Sequence, residues 1–304
     1  HLTKGVHLVV PHDKLPIKQA IYFDVPDGRM IFAIPRGKVT YIGTTDTSYY
    51  GDKNHIVTNT EDAEYLLKAV NDFFPTIHLT EDDVVSSWAG VRPLIHEEGK
   101  SESELSRKDE IFESETGLLS IAGGKLTGYR KMAERIVDLV GKRIRKEEDR
   151  NIKDCFTNKI PLTDSGFDGE KDVKAYRKGL SKQFESYGLE KGDVRYLVAN
   201  YGKQCDIIFD YFKSIEEQDV RLRMLKAECK FCVEHELTHT LEDFYSRRTG
   251  RLYFDIESAE KYFKEIADVM KGYFNWTEER LQKEIKEMGQ AIHEASNFEP
   301  DVQS

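Results

Sequence analysis

The chain has 304 residues, with 45 Lys and Arg against 55 Asp and Glu and a formal net charge of −10. That balance excludes a general nucleic-acid binder, which carries a basic domain or stripe, and 39% hydrophobic with 11% aromatic residues excludes disorder as the main state. No apolar run approaches the ~20 residues that span a bilayer, and four cysteines with one short spacing among them fit a reducing, cytoplasmic compartment.

The chain opens at His1 and runs almost at once into a strand pattern, with no charged and apolar leader before it. This start is expected to lie within a larger protein. Six of the eight prolines (Pro11, Pro16, Pro26, Pro35, Pro75 and Pro93) precede residue 100, so the first part reads as β-rich and the rest as helical. Strands are predicted over residues 7–10, 20–25, 29–35, 38–43 and 84–94. Val25-Pro26-Asp27-Gly28-Arg29 and Arg36-Gly37-Lys38 read as turns, which makes an antiparallel β-meander. One helix interrupts it over residues 60–74, with Thr60 as N-cap and Ala63, Leu66, Leu67 and Val70 on its apolar stripe.

A short apolar run at residues 118–122 is followed by a helix over 127–144, on which Met132, Ile136, Val137, Val140 and Ile144 recur at helical spacing. The charged stretch 142–150 reads as its solvated end and as a boundary. Amphipathic helices then follow over 171–187, 191–201, 206–214, 219–238, 256–273 and 277–296. The fold class is therefore α+β: a β-meander region over residues 1–150, then an all-α domain over 151–304.

Ser120-Ile-Ala-Gly-Gly-Lys-Leu-Thr-Gly-Tyr-Arg130 is the most informative segment. A strand that ends in Gly123 and Gly124 and opens a helix near Thr127 lets the backbone approach a ligand, and it aims free N–H groups and the helix dipole at an anion. The spacing matches neither a dinucleotide fingerprint nor a phosphate-binding loop. A tight turn with no ligand explains it equally well. Three cations lie near it in sequence: Arg92 at a strand end, Arg107 and Lys125. Paired guanidinium groups suit phosphate or carboxylate, although spacing alone does not make them converge. Tyr41-Ile-Gly-Thr-Thr-Asp-Thr47 reads as a capped turn.

Cys229-x-x-Cys232-x-x-His235-x-x-x-His239 has the look of a zinc site. On one continuous helix, however, ten residues span roughly 15 Å, while tetrahedral ligands all sit ~2.0–2.3 Å from one metal. The two cysteines are read as buried helix-face residues and the metal is rejected.

Taken in order, several motifs resemble one family: Lys4-Gly-Val-His7-Leu-Val-Val, Asp27-Gly-Arg-Met-Ile-Phe-Ala-Ile-Pro-Arg36, Ile42-Gly-Thr-Thr-Asp46, Trp88-Ala-Gly-Val-Arg-Pro-Leu94, Ser106-Arg107, Gly123-Gly-Lys-Leu-Thr127 and Asp243-Phe-Tyr-Ser-Arg-Arg-Thr-Gly-Arg251. The set is similar to the FAD-dependent (aerobic) glycerol-3-phosphate dehydrogenases and the related α-glycerophosphate oxidases. The short linker between Arg92 and Arg107 leans towards the dehydrogenases.

The resemblance implies oxidation of sn-glycerol 3-phosphate at C2 to dihydroxyacetone phosphate, with hydride passing to flavin N5 and electrons to quinone or O2. It implies that His7 is a base near the C2 hydroxyl, and that Arg92 and Arg107 hold the phosphate or the developing oxyanion, with Lys125 lining the same pocket. Gly123, Gly124, Lys125, Leu126 and Thr127 would then border the isoalloxazine ring, on a remnant of the flavin-binding domain. The chemistry agrees, since a neutral imidazole can accept the hydroxyl proton as hydride leaves.

Peripheral membrane contact on the cytoplasmic face and a homodimer are further family expectations. The family's dinucleotide-binding segment has no counterpart here, so the chain alone is expected to hold FAD weakly and to turn nothing over. Two other readings stand beside this one: a flavoprotein oxidase of an amine or another α-hydroxy compound, and a non-catalytic helical interaction module.

Overall fold

The computed structural model describes residues 1–94, 109–162, 166–298 and 300. Strand β1 (Leu2–Pro11) carries Leu8, Val9 and Val10, all fully buried, so both of its faces are covered and it must lie inside a sheet. Strands β2 (Ile21–Asp24), β3 (Met30–Arg36) and β4 (Val39–Gly43) form the expected antiparallel meander. Its last strand pairs with β1, through His7↔Gly43 to Pro11↔Val39. The first strand in sequence is thus inserted in the sheet rather than placed at its start, because only a central position buries three consecutive apolar residues. Thr47, expected in a capped turn, instead begins the two-residue strand β5 (Thr47–Ser48), and β6 (Ser86–Pro93) also pairs with β1.

Helix α1 (Thr60–Phe73) lays Ala63, Leu66, Leu67 and Val70 against Val6, Leu8, Ile31 and Ile42 of the sheet. Its N-cap is Asn59, not Thr60. Asp62 N donates to Asn59 Oδ1 at 2.9 Å and Asn59 N donates to Asp62 Oδ2 at 3.4 Å, a reciprocal box. Either residue type can cap, and the carboxylate three positions on selects Asn59.

Two compact units divide the chain. The first comprises His1–Lys4, Asp46–Tyr50 and Val91–Asp164; the second comprises Gly5–Thr45, Gly51–Gly90 and Ser165–Ser304. In the first, β7 (Asp109–Glu113) and β8 (Leu119–Gly123) form a hairpin in register at Ile111↔Ile121, and α2 (Tyr129–Glu148) follows one turn of 3-10 helix. Strand β7 lay outside the sequence expectation, because Asp109-Glu-Ile-Phe-Glu113 has only two apolar residues. Among the described residues, this unit contributes nothing to the buried hydrophobic core, while Phe112, Leu118, Val137 and Val140 are exposed.

In the second unit, α3 (Glu170–Glu185), α4 (Lys191–Tyr201), α5 (Cys205–Ser214), α6 (Val220–His235), α7 (Arg251–Phe254), α8 (Ile256–Phe274) and α9 (Glu278–Ser296) share one apolar core. The expected helix over 219–238 stops at His235, since Leu237 takes a left-handed conformation (φ 55°) and reverses the chain. A π-helix (Asp243–Arg248) precedes α7, and neither shows in periodicity. Together they place Arg251 against Glu228 of α6, which is fully buried. Glu228 accepts hydrogen bonds from Tyr196 and Tyr201 hydroxyls at 2.8 and 2.7 Å and from Arg251 Nη2 at 2.8 Å. Burial alone would lower the Arg251 guanidinium, but Glu228, Tyr196 and Asp255 outweigh it and hold the group above its ordinary value.

Candidate functional site

His7 lies in the second unit, opposite a glycine. Its ring stacks on Trp88 at 4.6 Å between centroids with planes 12° apart, and tilts against Phe32 at 5.5 Å. The strand pleat sets this arrangement. His7 and Phe32 both register with Gly43, so they share one face with Trp88 and Tyr41, away from α1. Gly43 makes room for the imidazole: a Cβ there would come 2.8 Å from His7 Nε2 and closer still to Cδ2. Sequence reasoning did not assign Gly43 this role. The signal available was a glycine inside a strand, where another group often approaches the backbone closely.

In the first unit Arg92 Nη1 lies 3.3 Å from Asp46 Oδ1, and both side chains are partly exposed. Arg107 falls outside the described residues. Gly123 and Gly124 both adopt left-handed backbone (φ 78° and 79°), and a Cβ on Gly124 would come 2.7 Å from Met132 Sδ. Lys125, Leu126 and Thr127 are exposed on the 3-10 turn that follows. Neither that turn nor α2 has a side-chain cap, and α2 has no acidic residue in its first turn. These residues fit the anionic edge of a flavin, because uncapped N–H groups and the Lys125 ammonium are the donors such an edge takes. His7 thus belongs to one unit, and Arg92 with the glycine turn to the other.

The cysteine–histidine segment is occupied by packing. Cys229 and Cys232 are fully buried on α6, and His239 lies beyond the end of that helix. Burial pushes Cys205 up to about 12 and raises the other two thiols also. Cys155 is exposed. Iodoacetamide at neutral pH is therefore expected to label Cys155 alone in the folded chain and four cysteines after denaturation, as read by mass spectrometry. Rapid labelling of Cys229 or Cys232 in the folded state would contradict this packing. Among the described residues, no helix is long and apolar enough to cross a membrane.

Residues 1–130 match the family of FAD dependent oxidoreductases, and residues 155–281 match the C-terminal domain of alpha-glycerophosphate oxidase. The aerobic glycerol-3-phosphate dehydrogenase of Bacillus subtilis (strain 168) is 44% identical over 296 residues, covering 96% of this chain and 53% of the relative. That of Staphylococcus aureus (strain bovine RF122 / ET3-1) is 41% identical over 305 residues, covering 99% and 55%. A crystal structure of the glycerol-3-phosphate dehydrogenase from Bacillus halodurans complexed with FAD superposes with a TM-score of 0.83 at 40% identity, covering 100% of this chain and 58% of that one.

The fold is that of an FAD-dependent oxidoreductase. Within that class, the chain is similar over nearly its whole length to aerobic glycerol-3-phosphate dehydrogenases, and its later part matches the C-terminal domain of alpha-glycerophosphate oxidase. It spans about half the length of the curated relatives it matches.

Proposed function

We propose that this chain supplies the substrate-side sheet and the helical region of an FAD-dependent dehydrogenase that oxidises sn-glycerol 3-phosphate at C2 to dihydroxyacetone phosphate. The observation that carries the reading is the left-handed Gly123-Gly124 turn leading into the uncapped start of α2. FAD, when bound there, supplies the hydride acceptor and the route by which electrons leave to quinone or O2. Residues of this chain do the rest. His7 takes the C2 hydroxyl proton, and Arg92 with Arg107 holds the phosphate by paired N–H donors. Lys125 adds a positive charge for the same anion, and the backbone from Gly123 to Thr127 borders the isoalloxazine.

The uncovered apolar side chains Phe112, Leu118, Val137 and Val140 support the reading, since a larger flavin-binding domain would bury exposed apolar side chains of this kind. Residues 1–150 and 151–304 serve as the flavin/substrate portion and the helical domain respectively. Contact with the membrane surface and pairing of two copies belong to the same proposal.

The test is a dye-reduction assay with the chain joined to the remaining length of the Bacillus subtilis relative and loaded with FAD. Reduction driven by sn-glycerol 3-phosphate, and not by glycerol or by primary amines, is the expected result. Equal rates with an amine would favour the amine-oxidase reading instead.

A further inference from the structure

One cavity lies outside everything assigned above. It measures about 780 Å³ and is lined from the β3–β4 end of the sheet and from α4, α6, α7 and the start of α8, all within the second unit. That volume is in the range of small-molecule sites. Its wall is aromatic where Tyr41, Tyr253 and Phe254 meet. Ser258 also faces it: the residue is 3% exposed, and its Oγ hydrogen-bonds to nothing among the described residues. A buried hydroxyl with no partner in a cavity wall is a binding group in want of a ligand atom.

Charge points the same way. Arg36, Lys38, Arg195 and Arg221 line the cavity from exposed positions, and none of them forms an ion pair among the described residues. The Arg36 guanidinium lies 4.0 Å above the Phe254 ring, which orients it without neutralising it. The acids of the wall are mostly engaged. Asp255 accepts from Arg251 at 2.7 Å, and Asp193 and Glu190 form the cap of α4, which leaves Glu257. Four unpaired cations around one cavity stand out on a chain of net charge −10.

We propose that this cavity binds an organic phosphate monoester with an aromatic body. The phosphate sits at the rim between Arg36, Arg195 and Arg221, the ring lies against Tyr41, Tyr253 and Phe254, and a polar substituent takes the Ser258 hydroxyl. A phosphate dianion uses several cationic donors at once, where a lone carboxylate is satisfied by one guanidinium.

The site reports on itself through Trp88, whose ring is 5.5 Å from Phe254 and 5.9 Å from Tyr41. The test titrates 4-nitrophenyl phosphate into a Trp276→Phe form of the full chain, which leaves Trp88 as the single tryptophan, and follows its fluorescence. Saturable quenching is expected. An Arg195→Glu/Arg221→Glu variant is expected to bind about tenfold more weakly or worse, and Ser258→Ala a few-fold more weakly, with circular dichroism unchanged because both arginines are exposed. An excess of sn-glycerol 3-phosphate leaves the quenching in place. Absence of saturation, equal quenching by the neutral 4-nitrobenzyl alcohol, indifference to the double reversal, or displacement by sn-glycerol 3-phosphate would each overturn the proposal. None of these readouts uses enzymatic turnover, so the failure of this site and the failure of the dehydrogenase reading remain distinguishable.

Discussion

An Arg251→Ala chain is expected to lose about 3–5 kcal/mol of stability, the range for removing one partner of a buried ion pair. Since a whole domain is stable by only ~5–15 kcal/mol, this loss would partly unfold the helical region at room temperature. The cause is Glu228, whose carboxylate has no exposure to water. With Arg251 gone it keeps the Tyr196 and Tyr201 hydroxyls but no positive charge, and an ionised group in that setting is costly. Glu228→Gln is milder, because the amide oxygen still accepts from the tyrosines and Arg251 retains Asp255 at 2.7 Å. Replacing both residues, as Arg251→Met with Glu228→Leu, is expected to recover much of the loss, as buried pairs exchanged for apolar side chains often do. Urea denaturation of the four proteins measures these differences. If Arg251→Ala unfolds within about 0.5 kcal/mol of the parent, the pair contributes only what a surface pair does.

Arg251 also marks where the sequence stops being legible. Periodicity placed α4 to the residue and the other long helices within a few, because a 3.6-residue apolar stripe is written locally. The turns at Gly28 and Gly37 were readable for a similar reason: both glycines take positive φ, which their neighbours tolerate poorly. The π-helix and the four residues of α7 carry no such stripe. Their conformation answers to Glu228, 23 positions earlier in the chain, and no window along the sequence contains that pairing. Strand β1 was visible as a strand, while its central position was not, since order in a sheet follows from which faces must be buried. The site divides likewise. The glycine turn can be read from spacing, but the room that Gly43 makes for His7 exists only once two strands pair.

That last contact yields the second large expectation. In the complete FAD-loaded enzyme, His7→Asn is expected to lower kcat with sn-glycerol 3-phosphate by roughly 10²–10⁴-fold, the usual contribution of a positioned general base. Asparagine keeps a polar group on the strand but cannot accept the proton as imidazole does. Gly43→Ala separates position from chemistry. It leaves the imidazole intact and inserts a methyl group where the ring now lies, 2.8 Å from Nε2, so the ring must leave its stack on Trp88. A base moved by about 1 Å can lose 10²-fold, so kcat is expected to fall in this variant too. KM should change little, because the proposed function gives the phosphate to Arg92 and Arg107 rather than to the histidine. Steady-state kinetics decide between three outcomes. A fall in kcat at constant KM for both variants supports the base. A rise in KM alone would make His7 a binding group. Unchanged kinetics in Gly43→Ala would mean that the reaction does not depend on where the imidazole stands.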